Sequence, residues 1–361
     1  MVQPRSILLV KTSAIGDVIQ TFPALEYLRR KFPEAQIDWV AEEGIVPLLV
    51  AHPEVSNVIG IRTKSWRKAP FSAQTRAEFK AFVAKLRSTR YDILFDLQGN
   101  SKSAVVTGCA KAQAKVGFGW KSVREKSNLL VTTRRLDVPS DLNIRLKYLR
   151  LVQGYFQDET AFVAEGVRLQ IRDEEQQRLV QIIGKTEPLR LMVCFGSKWK
   201  NKQMELSTLS AFLQKVAADC NPSFLLIYGD EEEKRSAEVL CSALGPRASA
   251  VGNLSLPLWQ ALMWEMDGII SVDSAALHLC GTTQTSTLSV FGPSSSSCYK
   301  PMEERHVSVQ GSCPYGRQFV SRCPILRTCA TGACIRDLDA ERLFQTFKEW
   351  KGAHLKRAAL P

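Results

Sequence analysis

Short apolar, β-branched runs alternate with amphipathic stretches along the whole chain. In the first half, residues 7–10, 37–41, 58–61 and 93–97 have the length and composition of buried strands. Helical periodicity appears near 17–32, 73–88 and 143–155. Pro23 falls inside the first of these patterns, where it must kink the helix or delay its start. A charged amphipathic segment, RDEEQQRLVQIIGKTEPLR, follows. The second half then restarts with a strand at 189–195 and continues with strands at 224–228, 268–272 and 287–291. Helices are predicted at 205–218, 231–243 and 255–265. In the first of them Leu206, Leu209, Phe212, Leu213 and Val216 share one face. Residues 294–334 read as turns, and a last helical pattern covers 337–352.

Strands separated by helices imply parallel sheets with crossover helices. Two halves that each restart with a strand imply an α/β fold of two Rossmann-like domains, their parallel sheets facing across a cleft. The expected bounds are 1–168 for the first domain, 169–345 for the second, and 346–361 for a helix end and tail. A length of 361 residues suits two separate cores. In such sheets ligands bind beyond the carboxyl ends of the strands, so the loops after strands are where chemistry is expected.

Charge narrows the partner. The chain carries a formal net charge of +12, which favours an anionic partner. It lacks zinc-finger spacing and basic runs interleaved with aromatics, so nucleic acid is set aside in favour of a phosphorylated substrate or an anionic lipid surface. No apolar run approaches the length of a membrane span, and the opening MVQPRSILLVKTSA reads as a first strand rather than a signal peptide. A cytoplasmic location is expected. There the ten cysteines would be reduced. Four of them, Cys313, Cys323, Cys329 and Cys334, sit together without any C-x-x-C pair. They read as ordinary thiols, with metal or disulfide as the alternative.

Three turns after strands carry candidate chemistry. In KTSAIGDV, Asp17 stands where a dinucleotide fold would hold pyrophosphate. It either supports a helix start or acts as a general base on an incoming hydroxyl. In VCFGSKWKNKQM, Gly196 gives room, Ser197 offers a hydroxyl, and Lys198, Lys200 and Lys202 offer charge for a phosphate. In IISVDSAALH, Asp273 and Ser274 form an N-cap pattern, and His278 lies one helical turn after Ser274. Glu231 to Glu233 open a helix, where acidic residues are favourable, and a carboxylate there can also accept ribose hydroxyls. The only D-x-D, Asp337 and Asp339, reads as helix-start charge, not as a metal site.

The ordered series KTSAIGDVIQTFPAL, SWRKAPFSA, DLQGNSKSA, WKSVREKSNLL, SVDSAALHL and VFGPSS resembles glycosyltransferase family 9, the heptosyltransferases of lipopolysaccharide assembly. The resemblance implies a GT-B fold and an inverting transfer of L-glycero-D-manno-heptose from ADP-heptose to a Kdo residue of lipid A, at the cytoplasmic face of the inner membrane. It implies that Asp17 is the base and that Lys202 clamps the diphosphate with Ser197. It also implies that Asp273, Ser274, Ala275 and His278 form the donor-diphosphate motif. Glu233, or else Glu231, would bind the ribose, and Leu254 would touch adenine. Lys64, Arg67, Lys68, Lys102, Lys121 and Arg124 would meet the phosphates and carboxylates of the acceptor. No cofactor is required; a divalent metal is compatible with the reaction but not implied. The rival readings are a family 9 enzyme acting on another core sugar or a protein, a GT-B sugar-nucleotide epimerase, and a non-catalytic binder of anionic lipid.

Overall fold

The computed structural model describes residues 3–184 and 189–355. The chain divides into two compact units, Met1–Gln170 and Ile171–Pro361. Each unit is built on a six-stranded sheet in which every pairing is parallel.

In the first unit the strands are β1 (Ser6–Val10), β2 (Gln36–Glu42), β3 (Asn57–Ile61), β4 (Tyr91–Asp96), β5 (Ala112–Phe118) and β6 (Arg134–Leu136). Their order is β3-β2-β1-β4-β5-β6. The chain therefore winds outward from β1 to β3, then crosses back to β4 on the other side of β1. Ile7, Leu8, Leu9 and Val10 are all buried, as expected of a strand covered by helices on both faces. The first helical pattern is two helices, Ile15–Ile19 and Phe22–Lys31, and Pro23 sits in the first turn of the second. There its missing N–H costs nothing, which resolves the choice between a kink and a late start.

The second unit repeats the plan with β7 (Arg190–Cys194), β8 (Ser223–Ile227), β9 (Ala248–Val251), β10 (Gly268–Val272), β11 (Ser286–Phe291) and β12 (His306–Gln310). The order is β12-β11-β10-β7-β8-β9, with the switch of direction between β7 and β10. The helix Leu206–Cys220 buries Leu209, Phe212, Leu213 and Val216 on one side, while Leu206 is only partly covered. The last helix is Ala340–His354, capped by Asp339, whose carboxylate accepts the Arg342 N–H at 3.2 Å. That is the helix-start role expected of the D-x-D pair, but only Asp339 fills it; Asp337 instead follows the last residue of the short helix Ala333–Arg336. Of the expected tail, residues 356–361 lie outside the described residues.

Four strands escaped the sequence pattern: β5, β6, β9 and β12. Three of them, β6, β9 and β12, lie at or form sheet edges. An edge strand has less apolar surface to bury, so polar sequences such as RRL and HVSVQ carry little periodic signal. The stretch 294–334, read as turns, thus contains a strand and the short helix Ser296–Tyr299.

Candidate active site

The carboxyl ends of the second sheet gather the candidate donor residues in strand order. Ser294 follows β11, Asp273 and Ser274 follow β10, Gly196 to Lys202 follow β7, Glu233 lies beyond β8, and Leu254 lies beyond β9. The meeting of Lys202 and Asp273 falls at the switch point, where open α/β sheets bind ligands.

Asp273 is buried and forms an ion pair with the buried Lys202 ammonium. The Ser294 hydroxyl donates to the same carboxylate oxygen, and His278 Nε2 lies 3.6 Å from the other. Burial pushes the Asp273 carboxyl up, but Lys202, His278 and Ser294 together outweigh it and hold it below the ordinary carboxylate range. Neither Asp273 nor Ser274 uses its side chain to cap the helix Ala275–Cys280. Ser274 does occupy the N-cap position, but the expected side-chain capping is corrected: the Asp273 carboxylate is taken by Lys202 and Ser294 instead. The charge opposing a phosphate at Ser274 and Ala275 is thereby neutralised.

Of the three clamp lysines, only Lys202 turns inward. Lys198 is exposed, and Lys200 pairs with Glu232 at 2.8 Å near the surface. Gly196 lets the Glu233 carboxylate pack against the turn: a Cβ there would lie 2.1 Å from Glu233 Oε1 and displace it. The Glu233 carboxylate accepts the Gly229 N–H at 2.7 Å, and Asp230 caps the helix Glu231–Leu244 by accepting the Glu233 N–H at 2.9 Å. Burial raises the Glu233 carboxyl, although the Gly229 bond opposes this. Glu231 stays exposed beside Lys234, so Glu233 is the glutamate brought to the Gly196–Ser197 turn. Leu254 is half-buried just past Gly252, whose missing side chain leaves room for the Tyr228 ring.

In the first unit Asp17 also stands beyond a strand next to the switch point, here between β1 and β4. It is half-buried in the helix Ile15–Ile19, and its carboxylate accepts the Ala14 N–H at 3.2 Å. The helix-start role is thus present, and it leaves the carboxylate partly open to solvent. The turn is held by Gln98 beyond β4, whose Oε1 accepts from Thr12 at 3.1 Å and Ser13 at 3.3 Å. Lys11 is buried beneath it. Its ammonium donates to the Tyr148 hydroxyl at 2.7 Å and to the Leu97 carbonyl at 3.3 Å. Burial pushes the Lys11 ammonium down to about 8, against the pull of Asp17 and Asp96.

The basic candidates flank this turn at the same end of the sheet. Lys64, Arg67 and Lys68 are exposed on the helix Thr63–Lys68 after β3, anchored by Trp66 against Phe79 and Phe82. Lys102 opens the helix Ser101–Cys109 after β4. Lys121 and Arg124 lie on the loop after β5, which Glu125 ties to the Ser101 N–H at 2.9 Å. The Arg124 backbone packs beside Gly99 beyond β4, where a Cβ would lie 3.7 Å from its nitrogen. Among the described residues, no three His, Cys, Asp or Glu side chains are gathered as a metal ion would hold them.

The model of glycosyltransferase family 9 (heptosyltransferase) matches residues 79–327, more than half of the chain. The chain belongs to glycosyltransferase family 9. Lipopolysaccharide heptosyltransferase 1 of Escherichia coli (strain K12) is 40% identical over 129 residues, which span 36% of this chain and 40% of that relative's length. Lipopolysaccharide heptosyltransferase 1 of Pseudomonas aeruginosa is 29% identical over 289 residues, covering 80% of this chain and 78% of the relative. The solved structure of E. coli heptosyltransferase WaaC with ADP-2-deoxy-2-fluoro heptose has a TM-score of 0.76 and 23% identity, covering 95% of this chain and 99% of that one. The two parallel six-stranded sheets are those of the GT-B fold expected from the family motifs.

Two polar contacts of this family 9 site went unnoticed in the sequence. Lys11 directly follows β1 in the same KTSAIGD motif, and a lysine at the end of a buried strand is a readable signal. Ser294 lies within a run of four serines, which local pattern alone reads as a turn.

Proposed function

We propose that this family 9 protein is an inverting glycosyltransferase that moves L-glycero-D-manno-heptose from ADP-heptose to a Kdo residue of lipid A. The carrying observation is that Asp17, in the family's opening motif, is a half-exposed carboxylate beside the first sheet's switch point, while the charge-paired Lys202–Asp273 cluster occupies the second sheet's.

In this reading Asp17 takes the proton from the acceptor hydroxyl, worth about 10²–10⁴-fold in rate. The freed oxygen attacks the anomeric carbon opposite the ADP, so one displacement inverts configuration. Negative charge develops on the leaving diphosphate. Lys202, Ser197 and the backbone at Ser274 and Ala275 receive it, each such contact contributing ~3 kcal/mol to the barrier reduction. Lys202 can serve two anions because Asp273 is also held by Ser294 and faces His278. Glu233 takes the ribose and Leu254 the adenine. The step assigns no role to a metal ion.

Lys64, Arg67, Lys68, Lys102, Lys121 and Arg124 hold the acceptor's phosphates and carboxylates. Their placement suits an enzyme working at an anionic membrane surface. Among the described residues no helix is long and apolar enough to cross a membrane. The ADP-heptose donor is supported by the solved neighbour, which is E. coli WaaC with ADP-2-deoxy-2-fluoro heptose.

The test is mass spectrometry of Kdo-lipid A incubated with ADP-heptose and the purified chain. One added heptose per lipid is the expected product. Donor consumption without acceptor would instead identify an epimerase, and a heptosylated protein or other core sugar would move the acceptor assignment.

A further inference from the structure

The charged segment RDEEQQRLVQIIGKTEPLR is left unused by the transferase reading. It forms the helix Asp173–Ile183, the first element of the second unit. Glu174 stands four residues before Arg178, the spacing of an ordinary helical ion pair. Arg178 forms neither that pair nor any other ion pair among the described residues. Its guanidinium donates instead through Nη1 to the Asn253 carbonyl at 2.7 Å and through Nη2 to the Gly252 carbonyl at 2.6 Å. Two successive carbonyls held by both arms of one fork suit the planar geometry of arginine and not a lysine ammonium.

The turn so held is the one that carries Leu254. β9 ends at Val251, and Gly252, Asn253 and Leu254 lead into Ser255, the N-cap of the helix Leu256–Trp264. Gly252 lies against the Tyr228 ring, where a Cβ would sit 2.1 Å from Cε2. Asn253 has a φ of 53°, in the left-handed region that L residues avoid and asparagine enters more readily than most. The Ser255 hydroxyl donates to Glu175 Oε1 and accepts the Leu258 N–H at 3.2 Å. Glu175 is itself buried at the helix start, where it accepts the Arg172 N–H at 3.0 Å. The helix Asp173–Ile183 thus grips both sides of Leu254: Arg178 takes the two carbonyls before it, and Glu175 takes the hydroxyl after it. The N–H groups of Asn253 and Leu254 meet no acceptor among the described residues, so the donors of the turn are left for a ligand.

We propose that Arg178 is a positioning residue for the base of the donor: by holding the Gly252 and Asn253 carbonyls it fixes the turn that presents Leu254, and so sets the preference of the site for an adenine nucleotide. This role rests on the donor-site reading, in which Leu254 meets the adenine. Removing the fork leaves both carbonyls to water and frees the turn, so Leu254 no longer stands at one place against the base. The Lys202–Asp273 pair stands on other loops, after β7 and β10, and keeps its hold on the diphosphate. The loss therefore falls on the part of the affinity that depends on the base.

The test is calorimetric titration of the full-length chain and of Arg178→Met with ADP and with UDP. The unmutated chain should prefer ADP. Arg178→Met should bind ADP about 10-fold more weakly and UDP as before, so the preference shrinks by the same factor. In turnover the donor KM should rise by that factor at constant kcat. An ADP preference that survives the substitution overturns the role. So does an equal loss for both nucleotides, which is what a merely structural contact would give. Arg178→Lys keeps the charge and the stem, and guards against a variant that fails to fold. It should show the same shift at smaller size, with faster hydrogen exchange at the Leu254 amide; unchanged exchange there overturns the role as well. An unmutated chain that binds ADP no better than UDP overturns the donor-site reading, and the role of Arg178 with it, whatever the variants do.

Discussion

Each sheet carries a lysine and an aspartate at its switch point, yet the two pairs are wired differently. In the second unit Lys202 and Asp273 are both buried and bonded to each other. In the first, Lys11 is buried but its ammonium is bonded to Tyr148 and Leu97, and Asp17 is half-exposed on the turn above. The difference is one of available charge. A buried carboxylate locked to an ammonium is structural, because protonating it would strand the lysine. The Asp17 carboxylate instead accepts a backbone N–H and is partly open to solvent, with the nearby Lys11 ammonium bonded elsewhere. The same fold thus provides a buried, charge-paired acid in one unit and a half-exposed one, the base of the proposed reaction, in the other.

Exchanging the chemistry at each point breaks the comparison most sharply. Asp17→Asn should lower kcat by about 10²–10⁴-fold while ADP-heptose binding, measured by calorimetry, stays near normal; full turnover would remove Asp17 from the reaction. Lys202→Met should lower turnover too, but unlike Asp17→Asn it should also appear in stability. It leaves Asp273 buried and uncompensated, a cost of about 3–5 kcal/mol in urea unfolding of the whole chain. Adding Asp273→Leu should recover most of that loss, and a double variant as unstable as the single one would show that the pair is not the cause.

Lys11 gives a smaller effect with a defined pH signature. Its folded pKa is lowered to about 8 from 10.5, chiefly by burial. Below pH 8 both folded and unfolded chains carry the proton. Between pH 8 and 10.5 only the unfolded chain does, so unfolding takes up a proton and rising pH opposes it. Relative to Lys11→Met, the native chain should gain up to about 1.4 kcal/mol per pH unit across that window, and parallel pH curves would show that Lys11 is not held neutral. The smallest effect belongs to the exposed residues. Reversing Arg67 and Lys68 to glutamate should raise the acceptor KM roughly 10-fold with little change in donor KM. Equal changes in both would remove the helix Thr63–Lys68 from acceptor binding.

The pattern of apolar runs was enough for the two-sheet plan because the central strands are buried on both faces and read as unbroken apolar segments. β1 and β10 show this directly, with every residue of β10 buried. The edge strands β6 and β9 were not legible, since little of their sequence had to be apolar. At the sites, local pattern pointed to Asp17, to Asp273, to Lys198, Lys200 and Lys202 and to Glu231, Glu232 and Glu233 because each lies in the loop after a strand or in the first turn of the helix that follows, and the family motifs singled out Lys202 and Glu233. Neither could say which polar group each would meet. Lys202 and Asp273 are 71 positions apart, and Asp273 and Ser294 are 21 apart.

What the sequence determined by itself was therefore the identity and order of the parts: the strands, the helices that cross between them, and the family motifs in their loops. Only the tertiary structure decided which lysine was paired with an aspartate and which was kept from one, and that Cys313, Cys323, Cys329 and Cys334 line one cavity. The physical reason is that periodicity and capping are set by neighbours within a few residues. Pairing between charges or thiols far apart in the chain depends on which strands lie side by side, and that is settled only when the sheet assembles.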